Sequence, residues 1–259
     1  MLDIDAAGLQ SAVDDAKSQA QSSGTRISAA VADITSEAQV AVEDAWSKAG
    51  GIDIMFANAA IGPAGRFMEV DADHFRELMD VNFMGTVLTL KAILPRMTEV
   101  SAGHIVVINS IGGYMGVLGA PACCAAMGAK RNLVESLRLE LIESGVSIHL
   151  SNPTFTDTPM LRESQENQVA ESILKGLEAG QYLLPTPDFA ADMFLKSCLV
   201  PCSPRPFSLL LDMLMAPGYV LLHWIIGRKT EAAARRHCFY HRPDSSSGAS
   251  DQVHKRKAD

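Results

Sequence analysis

The run VVINSIGGYMGVLGAPACCAAMGAK (106–130) leaves an apolar stretch at Ser110, passes through a glycine-rich turn and opens a helix. A serine in that setting can hydrogen-bond a carbonyl oxygen. Reducing the carbonyl also takes a proton donor and a cation, one helical turn apart so that both share a face. Thirteen residues after Ser110 stands Cys123, and four further on stands Met127. A thiol with a pKa of about 8.5 can formally donate a proton. It is, however, much shorter than a phenol, in a chemistry sensitive to about 1 Å. Met127 carries no charge. Lys130 lies near the same face one turn beyond, and Tyr114 is a phenol in the turn rather than on the helix.

The elements that must position these residues follow from periodicity. AAGLQSAVDDAKSQAQ (6–21) and DADHFRELMDVNFMGTVLTLKAILPRM (71–97) carry apolar residues at helical spacing, as do the runs from Pro121 and from Leu161. RISAAVAD (26–33), GGIDIMFANAA (50–60), HIVVINS (104–110) and VSIHLSNP (146–153) are short apolar runs without polar alternation. They are expected as buried parallel strands, the first ending at Asp33. Ser36 and Gln39 have capping-box spacing for a helix through about Lys48. Strands alternating with helices define a doubly wound α/β sheet. Such sheets bind ligands at the carboxyl ends of their strands, where Asp33, the ANAA turn (57–60), Ser110 and NPTFTDTPM (152–160) fall.

Bulk properties set the frame. The 259 residues are 47% hydrophobic and 20% charged, with a net charge of −8, which suits one α/β domain and argues against nucleic-acid binding. Five cysteines, an odd number without a CxxC, suggest free thiols. His237, Cys238 and His241 lack a second ligand pair at zinc spacing, so no metal site is expected. MLDIDAAGLQ is acidic and lacks the apolar core of a signal peptide. The apolar run 207–227 approaches the length of a membrane span, interrupted by Asp212, Pro217 and His223 and followed by basic RKTEAAARRH. The division expected is an α/β domain over 1–190, a membrane-associated helical extension over 191–242 and a disordered polar tail over 243–259.

From about Leu2 to Met160 the chain resembles the short-chain dehydrogenase/reductase family. The resemblance rests on Asp33, the Ala57-Asn58-Ala59-Ala60 turn, Asn82 in MDVNFMG, Ser110 in VVINS, and Pro153, Thr156 and Thr158 in NPTFTDTPM, in that order. It implies that Ser110 binds the substrate carbonyl and that Asn82 holds a proton-relay water. It also implies that Asp33, Asn58, Ala59, Ala60, Pro153, Thr156 and Thr158 contact the nicotinamide dinucleotide. Within the family, TDTPM and the C-terminal extension (203–227) resemble the 3-ketosphinganine reductases. That resemblance implies NADP(H), a long-chain keto lipid, a homo- or heterodimer, and attachment to the endoplasmic reticulum membrane on its cytosolic face. The C-terminal HKRKAD, with Lys255 and Lys257, is similar to a dilysine-type retrieval signal.

Departures from the pattern are as informative. The family's TGxxxGxG loop has no counterpart here, so the dinucleotide pyrophosphate loses its backbone donors. The strand before that loop is missing too, so the strands ending near Asp33 and Ala57 lose a shared neighbour. Either parallel edges are left open or the parts pair in a new way. The glycines of GGYMGVLG (112–119) do not supply GxGxxG. Cys123 and Met127 occupy the family's Tyr and Lys positions, and the short connection after Met160 leaves little room for a substrate lid. Three functions stay open: an impaired or inactive reductase, a non-catalytic membrane-associated scaffold pairing with an intact homologue, or a fragment of a longer gene product.

Overall fold

A computed structural model of the chain describes residues 1–20, 25–62, 64–153 and 159–187, with the side chains of 159–166 excepted. All of these lie in one compact unit, Met1–Cys198. The expected extension and tail, and the candidates Thr156 and Thr158, lie outside the described residues, as do His237, Cys238 and His241.

The chain alternates strands and helices as its apolar patterning requires. The order is β1 (Leu2–Asp3), α1 (Ala6–Gln19), β2 (Ala30–Val31), α2 (Ala38–Ala49), β3 (Ile54–Ala57), α3 (Ala72–Leu78), α4 (Gly85–Glu99), β4 (Gly103–Ile108), α5 (Pro121–Glu140), β5 (Val146–Ser151), α6 (Pro159–Glu178) and β6 (Leu183–Leu184). All pairings are parallel. Among the described residues they form two sheets, β1-β2 and β3-β4-β5-β6, in which β1 and β3 are edge strands.

The larger sheet carries the core. On one face Ile105 and Val107 of β4 meet Val42 of α2, Leu90, Ile93 and Met97 of α4, and Val134 of α5. On the other face Val106 packs with Ile173 of α6 and Leu184. Burying side chains of this size stabilises by about 1.5–3 kcal/mol each, and Ile93, Met97, Ile105, Val106, Val107 and Val134 are all fully buried. Helices on both faces complete the doubly wound arrangement. The α3–α4 region runs on without a break, so that 72–99 is long and apolar enough to cross a membrane by length and composition. Its Leu90, Ile93 and Met97 lie in the core instead.

Two local expectations are corrected. The strand read as running to Asp33 stops at Val31, because the backbone turns there. The Asp33 carboxylate accepts the N–H and the hydroxyl of Thr35, at 2.8 and 2.7 Å, while the Asp33 N–H donates to Glu37 Oε2 at 3.0 Å. The same turn displaces the Ser36–Gln39 capping box. Glu37 stands at the start of α2, which has no side-chain cap, since short polar side chains compete for backbone groups wherever a turn offers them. At the far end, Gly50 takes φ +80° and returns its N–H to the Trp46 carbonyl, stopping α2 where a side chain would be strained. The two-residue β6 was not anticipated, being too short to show a period.

Candidate functional site

The site grows from the carboxyl ends of β4 and β5. Past Ile108 the chain places Asn109 and Ser110, and past Ser151 it places Asn152. The strands stay joined here, the Asn109 N–H donating to the Ser151 carbonyl at 2.8 Å. Buried Asn109 and Asn152 are linked side chain to side chain, Nδ2 to Oδ1, at 2.9 Å, and Asn152 Nδ2 reaches the Tyr114 hydroxyl at 3.5 Å. Asn109 Oδ1 is buried without a hydrogen-bond partner. An unmet acceptor of this kind costs about 1–3 kcal/mol unless something donates to it.

Ser110 caps the short 3₁₀ turn Ile111–Gly113, its Oγ accepting the Gly112 N–H at 3.2 Å. The hydroxyl proton is left to donate to a carbonyl oxygen. The turn lies tightly on α5. A Cβ on Gly113 would stand 2.7 Å from Asn109 Nδ2 and 2.9 Å from the Met127 carbonyl oxygen. A Cβ on Gly112 would stand 3.3 Å from Cys124 Sγ and 3.6 Å from Ser110 Oγ. These glycines therefore serve close packing, and not phosphate binding. The thiol beside Ser110 across Gly112 is that of Cys124, one residue past the position found by counting.

On α5, Met127 is buried and Cys123 is half-buried. Burial pushes the Cys123 thiol up, Cys124 adds to that, and Lys130 opposes both. Lys130 itself is fully buried, and its Nζ donates to the Ile108 carbonyl at 3.2 Å. Burial lowers its pKa to about 8 against the pull of Cys123. Tyr114 lies under the Arg131 guanidinium, 4.2 Å from ring centroid to Cζ.

Asn82 sits at the middle of a π-helical turn (Met79–Met84) between α3 and α4, a distortion often found at functional positions. It is fully buried. Its Oδ1 accepts the Ile61 N–H and its Nδ2 donates to the Ile61 carbonyl, both at 2.8 Å. Thr86 Oγ1 donates to the Asn82 carbonyl at 2.9 Å. Asn82 thus clamps the chain just after the Asn58–Ala60 turn.

That turn is exposed. Asn58 and Ala59 line a cleft together with Leu2, Asp3, Ala32, Ile34, Phe56 and the inner faces of α2 and α4. Asp33 lies between two lining residues. Its carboxyl is held below the usual range, first by the Thr35 N–H and then by the Thr35 hydroxyl. Pro153 follows Asn152 and accepts the Ile111 N–H at 3.4 Å, tying the two strand ends together. The structure therefore brings Ser110 and Pro153 to one strand end, with Cys124 rather than Cys123 packed against the turn, and gathers Asn58, Ala59 and Asp33 around the cleft. Asn109 and Asn152 were missed as site residues; polar side chains directly after VVI and HLS were the available signal. Among the described residues no group of three His, Cys, Asp or Glu could hold a metal.

The chain belongs to the short-chain dehydrogenase family, whose model matches residues 3–169. It is similar to a 3-dehydrosphinganine reductase of Danio rerio, 29% identical over 198 residues, covering 70% of this chain and 58% of that one. It is also similar to a 3-ketodihydrosphingosine reductase of Mus musculus, 31% identical over 133 residues, covering 51% of this chain and 40% of that one. The chain thus spans only about half the length of these relatives. Among solved structures, levodione reductase superposes with a TM-score of 0.58 at 26% identity, over 64% of each chain.

Proposed function

We propose that this chain is a homologue of the long-chain keto-lipid reductases that keeps the carbonyl-holding side of the site and has lost its proton donor. One observation carries the reading. The face of α5 in the family's donor position offers Cys123 and Met127, while the nearby amine, Lys130, is drawn inward onto the Ile108 carbonyl. Hydride addition to a ketone leaves an alkoxide that must take a proton. A positioned acid contributes about 10²–10⁴-fold to such a step. A short thiol with its pKa pushed up, next to a neutral methionine, does not replace that acid.

The family's cofactor, a nicotinamide dinucleotide, would supply the hydride. Its phosphates do not fit the residues present around the Asn58–Ala59 turn. Asp3 is the charged residue lining that cleft, and no Lys or Arg joins it. No step is therefore assigned through the dinucleotide, and the reading supported for NADP(H) is weak or absent binding.

The test is NADPH oxidation by the purified chain with 3-ketosphinganine in detergent micelles. The expected rate equals that of a Ser110→Ala control. Turnover that Ser110→Ala abolishes would overturn the reading.

A further inference from the structure

Two histidines lie together on the α6 side of the larger sheet, at the end away from Ser110. His104 is the second residue of β4, and His149 stands within β5. In the parallel register Ser147 is opposite His104 and His149 is opposite Val106. Alternation along each strand therefore turns both rings to the face on which Val106 packs with Ile173 and Leu184. Counted along β4, His104 is about 20 Å from Ser110. The pair is no part of the carbonyl-holding site.

Hydrogen bonds fix where the protons are. His149 Nδ1 lies 2.7 Å from the Gln181 carbonyl oxygen, which can only accept, so Nδ1 carries the proton. His149 is buried. Burial lowers its pKa, the Gln181 bond opposes that and His104 adds to it, so the ring is neutral at about pH 7. Its Nε2 is then a bare lone pair, 3.1 Å from His104 Nδ1. The ring centroids are 5.3 Å apart.

Two imidazole nitrogens facing each other in this way can share a proton or a cation. Nitrogens bound at about 2.0–2.1 Å to a tetrahedral zinc lie about 3.3 Å from each other, so a small turn of His104 converts one arrangement into the other. His104 is only half-buried and gives an ion a way in. A metal-binding histidine commonly donates its second N–H to a carbonyl or carboxylate, which sets its tautomer and raises its basicity. The Gln181 carbonyl does this for His149. Gln181 also leaves the carboxyl end of α6, where the N–H groups of Gly180 and Gln181 return to the Leu177 and Gly176 carbonyls at 2.9 Å each. The carboxyl end of a helix favours positive charge.

We propose that His104 Nδ1 and His149 Nε2 form a two-histidine site for a divalent transition cation that suits imidazole, such as zinc, with water completing its coordination. Binding leaves the proton count unchanged. His104 gives up its Nδ1 proton and takes one on Nε2 through water, while His149 keeps its Nδ1 proton on Gln181. The ion would tie β4 to β5, which already holds the chain entering β6.

The experiment is proton–nitrogen correlation spectroscopy of the histidine rings in the full chain, titrated with Zn²⁺ alone. His237→Asn, Cys238→Ser and His241→Asn are introduced first, so that those side chains do not compete for the ion. The expected result is that His104 changes from its Nδ1–H to its Nε2–H tautomer. His104 Nδ1 and His149 Nε2 should shift together and saturate at an equimolar amount of Zn²⁺. Resonances of the pair that stay in place in excess Zn²⁺, or shifts confined to other histidines, overturn the proposal. His104→Asn removes a ligand and should weaken Zn²⁺ binding at least about tenfold, and equal affinity in that variant also overturns it. Should His104→Asn not fold, the tautomer change in the intact pair decides.

Discussion

The carboxyl ends of β4 and β5 and the facing edges of β1 and β3 are built from the same kind of strand, yet they treat their polar groups in opposite ways. At the first, Asn109, Asn152, Ser110 and Lys130 are tied to neighbours through short bonds, and Gly113 presses the 3₁₀ turn onto α5. Little is left over except the Ser110 proton and Asn109 Oδ1. At the second, Leu2, Asp3, Phe56 and Ala57 line a cleft against the inner faces of α2 and α4. The strand ends that resemble a catalytic centre satisfy most of their polar groups internally, whereas the cleft lies where the described sheet is interrupted.

Substitutions that contrast the two regions should differ most in the core beneath the first. Ile105→Ala empties a fully buried position of β4 and should cost about 2–5 kcal/mol in urea unfolding. Phe56→Ala, on the open edge, should stay within about 0.5 kcal/mol. Equal costs would mean that the edge is packed after all.

Lys130 gives the next largest effect, and its sign follows from linkage. Its folded pKa of about 8 lies below the 10.5 of an exposed lysine. Between those values the unfolded chain binds more protons, so stability rises with pH across that window, by up to about 3 kcal/mol. Below about 8 the stability it withholds stays lost. Lys130→Met should flatten the profile measured by chemical denaturation from pH 7 to 10.5. A slope that survives the substitution would place the titration elsewhere.

The smallest of the three concerns the turn. Gly113→Ala forces a Cβ against the Met127 carbonyl and should cost about 1–3 kcal/mol. Gly116→Ala, with nothing within 4 Å of the added carbon, should be close to neutral. Thermal melts of the two variants would show whether the turn is as tightly held as its contacts imply.

The strand-end asparagines show how far sequence reasoning reaches. Ser110 was legible because VVINS sets a polar residue directly after a buried run, and Cys123 and Met127 followed by counting. Counting along a helix gives a face, however, and not a reach. Lys130 was read as a misplaced member of that face, whereas its long side chain turns inward to the Ile108 carbonyl. The Ser36–Gln39 capping pattern failed for a related reason. Asp33 formed its own turn first and took Thr35 and Glu37 with it.

Sequence alone determined the α/β class, the order of its elements and the loss of an acid and a cation from the family's positions. These depend on hydrophobic period and residue identity, which are local and additive. The sequence left two outcomes where the strands lose a shared neighbour, open edges or a new pairing. The tertiary structure decided for the divided sheet, and it alone showed that Asn82 clamps Ile61 and that β1 and β3 line one cleft. Those features depend on which groups meet across the fold, where hydrogen bonds and close packing between distant residues outweigh the preference of any single segment.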